Sequence, residues 1–325
     1  MILFLIFLSL TFEEEKLINF LKPLMLQTKG EIKLEKKISG ENFSIYYAKK
    51  EGEEKGKEEM IPCAIYEGKN VIYGMYFGLK NENKPTPEFL SSFLKNVFLS
   101  SIKVEKDENS GKNLKSFKVF QETGYGKVKM KAYLLAEKHL FIGNIYKLDE
   151  KIDEIIMEKI NWELGGKIGS SNSKNKLLFF LDLECPYCSK LEKEILPILK
   201  EKKDLFSGFF LFPLSIHILS FKGSAAGYCF KKMGDDFFFD YINWFYEERG
   251  NIELENIDLK IYQFAQEKNI EKEFLECYMK PENIKTVLEA IQMGIELNVQ
   301  ATPTVFYNGK KYPPKTLIEM LKSDK

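Results

Sequence analysis

The chain has 325 residues, 44% hydrophobic and 30% charged, and its 48 Lys and Arg balance 48 Asp and Glu. That length suits two or three domains with real cores. A net charge of zero offers no field to draw nucleic acid or an acidic membrane, so no nucleic-acid partner is expected.

The opening stretch, MILFLIFLSLTF (residues 1–12), resembles the apolar region of a secretory signal, without a basic start or a small-residue cleavage site. The competing reading is a buried first helix or strand. It is too short to span a membrane comfortably. Residues 13–80 and 81–148 then read as two copies of one α+β unit. IKLEK at Ile32–Lys36 returns as IKVEK at Ile102–Lys106, and SGENF returns as SGKNL at Ser110–Leu114. Cys63–Leu79 returns as Ala132–Leu148, with Gly74 matching Gly143. Shared order and spacing point to duplication. Each copy starts with a helical pattern, EEEKLINFLKPLML in the first and TPEFLSSFLKNVFL in the second. In the second, Thr86 is placed to cap and Pro87 to open the helix. The remainder of each copy reads as three or four short strands with polar turns.

Residues 149–175 read as a charged helix, DEKIDEIIMEKINWEL, and a Gly/Ser-rich linker, GGKIGSSNSKN. From residue 176 to 325 the order is strand, helix, strand, a helical block over about 223–298, two strands and a last helix. Pro197 falls inside the first of these helices and predicts a kink there.

The chemistry is concentrated at Cys185-Pro186-Tyr187-Cys188, between the apolar run LLFFLDLE and the helical pattern SKLEKEILPILKEKK. A cysteine at the start of a helix has its thiolate favoured by the helix dipole. Cys185 is therefore the nucleophile toward disulfides, and Cys188 the thiol that resolves the mixed disulfide. Glu184 opposes the thiolate if its side chain points the same way. Asp182, on a buried strand, either relays the proton of Cys188 or is a plain structural carboxylate. His217 packs near the redox pair rather than acting as a base. Far downstream, Thr302-Pro303 lies between a helix end and a strand. That context favours a cis bond.

Cys229 and Cys277 read first as a structural disulfide, with free thiols or a second redox pair as alternatives. Cys63 reads as a small buried residue, since its counterpart is Ala132. A zinc site built on CPYC with Cys229 and Cys277 has the wrong spacing, so no metal is expected. A cysteine protease would have only His139 and His217 to draw on. No cofactor is called for.

With FLDLECPYC, FPLSIH, GSAAGYC, FLECYMK and GIELNVQATPTVFYNGKKY in place, residues 176–323 resemble the Dsb-type thioredoxin-fold thiol–disulfide oxidoreductases. The resemblance implies a nucleophile at Cys185, a resolving thiol at Cys188 and a cis-proline loop at Thr302-Pro303. The hairpins EGKNVIYGMYF and EKHLFIGNIY look like those of the DsbC/DsbG isomerase branch, here in two units before one catalytic domain. The Pro-Tyr dipeptide and the helical insertion look more like DsbA-type oxidases.

The fold expected is thus an α/β thioredoxin fold with a helical insertion, preceded by an α+β region of two tandem helix-plus-antiparallel-sheet repeats. The function expected is exported, periplasmic thiol–disulfide exchange, with isomerase or reductase work placed ahead of oxidase work. A peptide-binding chaperone with secondary redox activity is the alternative from another class. The partners implied are cysteine-containing unfolded or misfolded proteins and a membrane or periplasmic redox partner. The repeats would form an internal pseudo-dimer or a larger dimer.

Overall fold

The computed structural model describes residues 10–28, 30–51, 58–80, 85–98, 100–108, 114–123 and 125–323. The apolar opening up to residue 9 and most of SGKNL lie outside the described residues.

The first repeat is helix α1 (Phe12–Leu21) followed by β1 (Lys33–Ser39), β2 (Phe43–Glu51), β3 (Glu58–Tyr66) and β4 (Asn70–Gly78). The second is α2 (Pro87–Phe98), then β5 (Ser101–Lys106), β6 (Leu114–Thr123), β7 (Gly126–Leu135) and β8 (His139–Lys147). Both helices start where hydroxyl caps sit. Thr11 and Glu14 form a reciprocal capping box, and Thr86 Oγ1 accepts from Phe89 N at 3.3 Å.

The two repeats share one eight-stranded sheet, ordered β1-β2-β3-β4-β8-β7-β6-β5. Its centre is the antiparallel β4–β8 ladder, in which Gly74 lies directly opposite Gly143. The two backbones approach so closely there that a Cβ on Gly74 would sit 2.1 Å from the Ile142 carbonyl oxygen. Gly74 also has φ +152°, so glycine is required on both counts.

These glycines mark an exchange. Before Gly74, β4 pairs with β3 of its own repeat; beyond it, β4 continues only along β8. The same holds for β8, whose residues after Ile142 have left β7. Each repeat thereby lends its last half-strand to the other repeat's helix. Tyr146 from the second repeat packs on Phe20 of α1, with ring centroids 5.8 Å apart. Phe77 from the first packs edge-on against Phe93 of α2, at 5.8 Å. The opposite face of the sheet is filled by Ile45, Tyr66, Ile72, Leu114, Tyr133, Leu135 and Phe141 from both repeats. Alternation of inward and outward side chains explains how neighbours such as Ile65 and Tyr66 serve different layers.

The expected helix over 149–164 is shorter in the structure, α3 (Ile152–Glu158). The linker expectation is corrected. Gly166–Gly169 forms β9, an edge strand paired antiparallel with β11. Its glycines serve close packing, since a Cβ on Gly166 would meet the Phe238 ring at 2.1 Å and Gly169 has φ +90°. Strands β10 (Asn175–Leu181), β11 (Leu205–Leu211), β12 (Thr304–Tyr307) and β13 (Lys310–Tyr312) complete a sheet ordered β13-β12-β10-β11-β9. Parallel β10 and β11 are almost wholly buried, as an uninterrupted apolar run predicts. The helices are α4 (Pro186–Glu201), with Pro197 inside it, then α5 (Ser220–Met233), α6 (Asp235–Glu248), α7 (Ile257–Glu267), α8 (Glu271–Tyr278), α9 (Pro281–Glu296) and α10 (Pro314–Ser323). Small residues let α5 press close. A Cβ on Gly227 would stand 2.5 Å from Leu211.

The repeat sheet is docked onto this second body. Gln27 N donates to Lys311 O and Lys311 N to Pro23 O, both at 2.9 Å. On the far side Asn144 Nδ2 donates to Glu296 O at 3.1 Å. Among the described residues no helix is long and apolar enough to cross a membrane.

Candidate active site

Strand β10 ends at Leu181, and the chain turns through Asp182-Leu183-Glu184 to present Cys185 as the N-cap of α4, with Pro186 opening the helix. Pro186 costs nothing there, because the first helical N–H has no partner within the helix. Cys185 and Cys188 are both buried, Cys188 completely. The Cys185 thiol points at the Thr302 carbonyl oxygen, 3.4 Å away, and the Thr302–Pro303 peptide is cis. Tyr187 projects into solvent, 73% exposed.

The two sulfurs are driven apart in acidity. A hydrogen bond from the Cys188 thiol is the largest influence on Cys185. With the backbone N–H groups of Cys188 and Tyr187, it holds Cys185 down to about 6 against the opposing effect of burial. Burial, and then the neighbouring Cys185, push Cys188 far above the ordinary thiol range. One thiol is thus ionised near neutrality while its partner keeps its proton, the division of labour that attack and resolution need.

Asp182 is fully buried, and its carboxylate is taken up by backbone. Oδ1 accepts from Glu184 N and Oδ2 from Leu214 N, each at 2.7 Å. His217 Nδ1 lies 2.9 Å from the same Oδ2. The side chain thus ties the redox turn to the segment after β11, while Asp182 N faces Cys188 Sγ at 3.4 Å. Glu184 turns away from Cys185, so the condition on which it would oppose the thiolate is not met. It accepts from Leu219 N (2.6 Å) and Ser220 N (2.8 Å) at the start of α5 and pairs with Arg249 at 2.5 Å.

Cys229 and Cys277 are joined by a disulfide between α5 and α8. That bond takes both sulfurs out of the four-cysteine zinc alternative. Cys63 is a buried free thiol on β3, its pKa pushed by burial to about 12. His139 sits on β8 beside the Tyr76 hydroxyl, at 2.9 Å.

Two residues near the site were not singled out from sequence. Glu192, on α4 one turn beyond Cys188, is only 2% exposed, and its Oε1 has no hydrogen-bond partner among the described residues. Burial raises its pKa to about 7. Tyr246, on α6, donates to the Asp182 carbonyl at 3.3 Å, and burial raises its pKa. The signal for Glu192 was its register: Cys188, Glu192 and Ile195 share one helical face. Because its folded pKa is raised, Glu192 favours the fold fully below its ordinary value of 4.5 and loses that contribution as pH rises through about 7. Glu192→Gln removes this dependence. Relative to wild type the variant should gain about 3 kcal/mol between about pH 4 and about pH 8. Denaturant unfolding of both proteins across that range checks it, and parallel pH profiles would refute it.

Residues 165–323 match the family model described as Thioredoxin. This part of the chain is a thioredoxin-fold domain. No curated protein matches the chain. Among solved structures, the chain is similar to MdbA, a thiol-disulfide oxidoreductase from Corynebacterium diphtheriae, at 17% identity and TM-score 0.43, over 49% of this chain and 90% of that one. It is similar to the catalytic domain of Proteus mirabilis ScsC at 18% identity and TM-score 0.43, over 53% and 98%. The corresponding figures for BdbD from Bacillus subtilis are 21% and 0.43, over 50% and 92%.

Proposed function

We propose that the thioredoxin-fold domain catalyses thiol–disulfide exchange on protein cysteines, of the Dsb type, in an exported, periplasmic setting. The observation that carries this is the pairing of an acidified Cys185 thiol at the α4 N-terminus with a protonated, buried Cys188, facing the Thr302 carbonyl of the cis-proline loop. Cys185 thiolate attacks a substrate disulfide, one substrate sulfur leaves as thiolate, and Cys185 is held in a mixed disulfide. Cys188 then loses its proton and attacks Cys185 Sγ. That releases the second substrate sulfur as a thiol and leaves a Cys185–Cys188 disulfide. Run backwards, the cycle oxidises a dithiol; stopped and reversed after the first step, it reshuffles disulfides.

Isomerase or reductase work is the preferred direction, because a large folded repeat sheet stands beside the redox loop and offers a surface for a misfolded chain. The test is refolding of a scrambled-disulfide substrate in a mild thiol buffer, with the intact chain and Cys188→Ala compared. Recovery of native substrate by the intact chain supports isomerase work. No recovery, alongside fast oxidation of a reduced substrate, makes the protein an oxidase. Suppression of aggregation that survives loss of both cysteines favours the chaperone alternative. The β4–β8 ladder already joins the repeats within one chain, so we read them as an internal pseudo-dimer. Light scattering should return the mass of one chain, and a dimer mass would overturn that reading.

A further inference from the structure

The exchange of half-strands leaves two equivalent stretches of edge. Among the described residues, when β4 departs from β3, residues Glu58–Pro62 of β3 keep β2 as their one strand partner; when β8 departs from β7, residues Gly126–Lys131 of β7 keep β6. An uncovered edge is a row of unpaired N–H and C=O groups. The pseudo-symmetry of the repeats makes the two edges alike, but their surroundings differ. On β7 the edge is filled. Lys129 N donates to Gln292 Oε1 at 2.9 Å, and Gln292 Nε2 donates to Lys129 O at 3.0 Å. The Gln292 carboxamide, carried on α9, makes there the donor and acceptor pair that a neighbouring peptide group would make.

On β3 the position matching Lys129 is Met60. Among the described residues, nothing stands to Met60 as Gln292 stands to Lys129. Instead this edge borders a cleft of about 620 Å³ whose walls include Met60, Pro62, Phe77, Val97, Gln300 and Ala301. Met60 is 52% exposed and Val97 42%. Pro62, with no N–H to offer, is a residue that such an edge tolerates. The cleft's lining includes Ala301, the residue before Thr302, whose carbonyl faces Cys185 Sγ.

We propose that the β3 edge at Glu58–Pro62 is a β-augmentation site, on which an extended segment of the cysteine-bearing substrate lies as an added strand leading to the redox loop. Main-chain hydrogen bonds to the edge would supply sequence-tolerant affinity, and the apolar part of the lining, Met60, Phe77 and Val97, would favour side chains that a folded protein buries, beside the Glu59–Lys311 pair. The occupant rests on the thiol–disulfide reading above; the edge and the cleft do not. A misfolded polypeptide fits this chemistry, because it offers free backbone and apolar side chains in one stretch.

The test separates binding from chemistry. In a Cys185→Ala chain, affinity is measured for a fluorescently labelled, cysteine-free peptide of extended, apolar sequence. Met60→Pro removes the N–H that, by its match to Lys129, points into the cleft. The proposal expects about a tenfold or greater loss of affinity, with the β2–β3 ladder and the unfolding midpoint retained. Should Met60→Pro not fold, Val97→Glu, on the exposed side of α2, places a charge in the same cleft and is expected to weaken binding likewise. Unchanged affinity in a folded variant overturns the proposal. So does a change in oligomeric state without a change in peptide affinity, which would assign the edge to a second copy of the chain. Failure of the thiol–disulfide reading would show elsewhere, as absence of exchange between the wild-type chain and oxidised glutathione.

Discussion

Cys188→Ala should arrest the protein at its first step, with substrate covalently held on Cys185 and recoverable as a mixed disulfide on a non-reducing gel. Cys185→Ala should hold nothing, and its exchange rate should fall by on the order of a thousandfold, toward the uncatalysed background. The asymmetry follows from the acidities. With Cys185 at about 6, its thiolate outnumbers its thiol by about ten to one near pH 7. Cys188, buried and raised, is a poor nucleophile until Cys185 has lost its charge to the mixed disulfide. The linkage has a definite sign. A depressed thiol pKa stabilises the reduced fold above the ordinary thiol value of 9.0, and that stabilisation is lost as pH falls through about 6. It stabilises the reduced form and has no counterpart in the disulfide form, so it makes the pair more oxidising. Equal trapping by either variant would contradict the assignment of roles.

Replacing both Cys229 and Cys277 by alanine should destabilise the thioredoxin-fold domain by about 4 kcal/mol, the loop-closure contribution for partners 48 residues apart. In a domain of this size, that should lower the melting temperature by about 10 °C. The bond ties α5, which packs on the sheet through Gly227 and Leu211, to α8 within the helical insertion. Cys229 is wholly buried, which suits a structural bridge rather than a relay. Below its melting temperature the double variant should therefore exchange disulfides at the wild-type rate. A stable but inactive double variant would support the second-redox-pair reading.

The placement of Cys185 and Cys188 at the start of α4, and of the cis Thr302–Pro303 bond, was legible because the signals are local. A strand end, a Cys-x-x-Cys and a helix start adjoin in sequence, and Thr302-Pro303 stands at the entry to a strand. The repeats were legible too, through Gly74 and Gly143. What could not be read was the exchange that those glycines permit. Strand pairing across repeats is non-local, and the sequences of β4 and β8 are the same kind of alternating strand whether they end in their own repeat or in the other. Phe77 and Tyr146 therefore looked like members of their own repeats, although each packs on the other repeat's helix. Gly165–Gly169 was misread for a different reason. A glycine-rich segment carries no side-chain pattern, so a strand packed tightly under Phe238 and against Leu205 resembles a linker. For Glu184 the sequence left the direction open, because adjacency says nothing about where a side chain points. Its side chain turns away to the start of α5 and to Arg249.

The central claim is that the α4 N-terminus and Cys188 together make Cys185 a nucleophile near neutral pH. Its most direct test is the rate of alkylation of Cys185 in the reduced chain as a function of pH, followed by mass spectrometry of the modified peptide. The account predicts a rate that rises through a midpoint near the value of about 6 set by the site, with Cys188 unmodified throughout. A midpoint near the ordinary thiol value of 9.0 would contradict it.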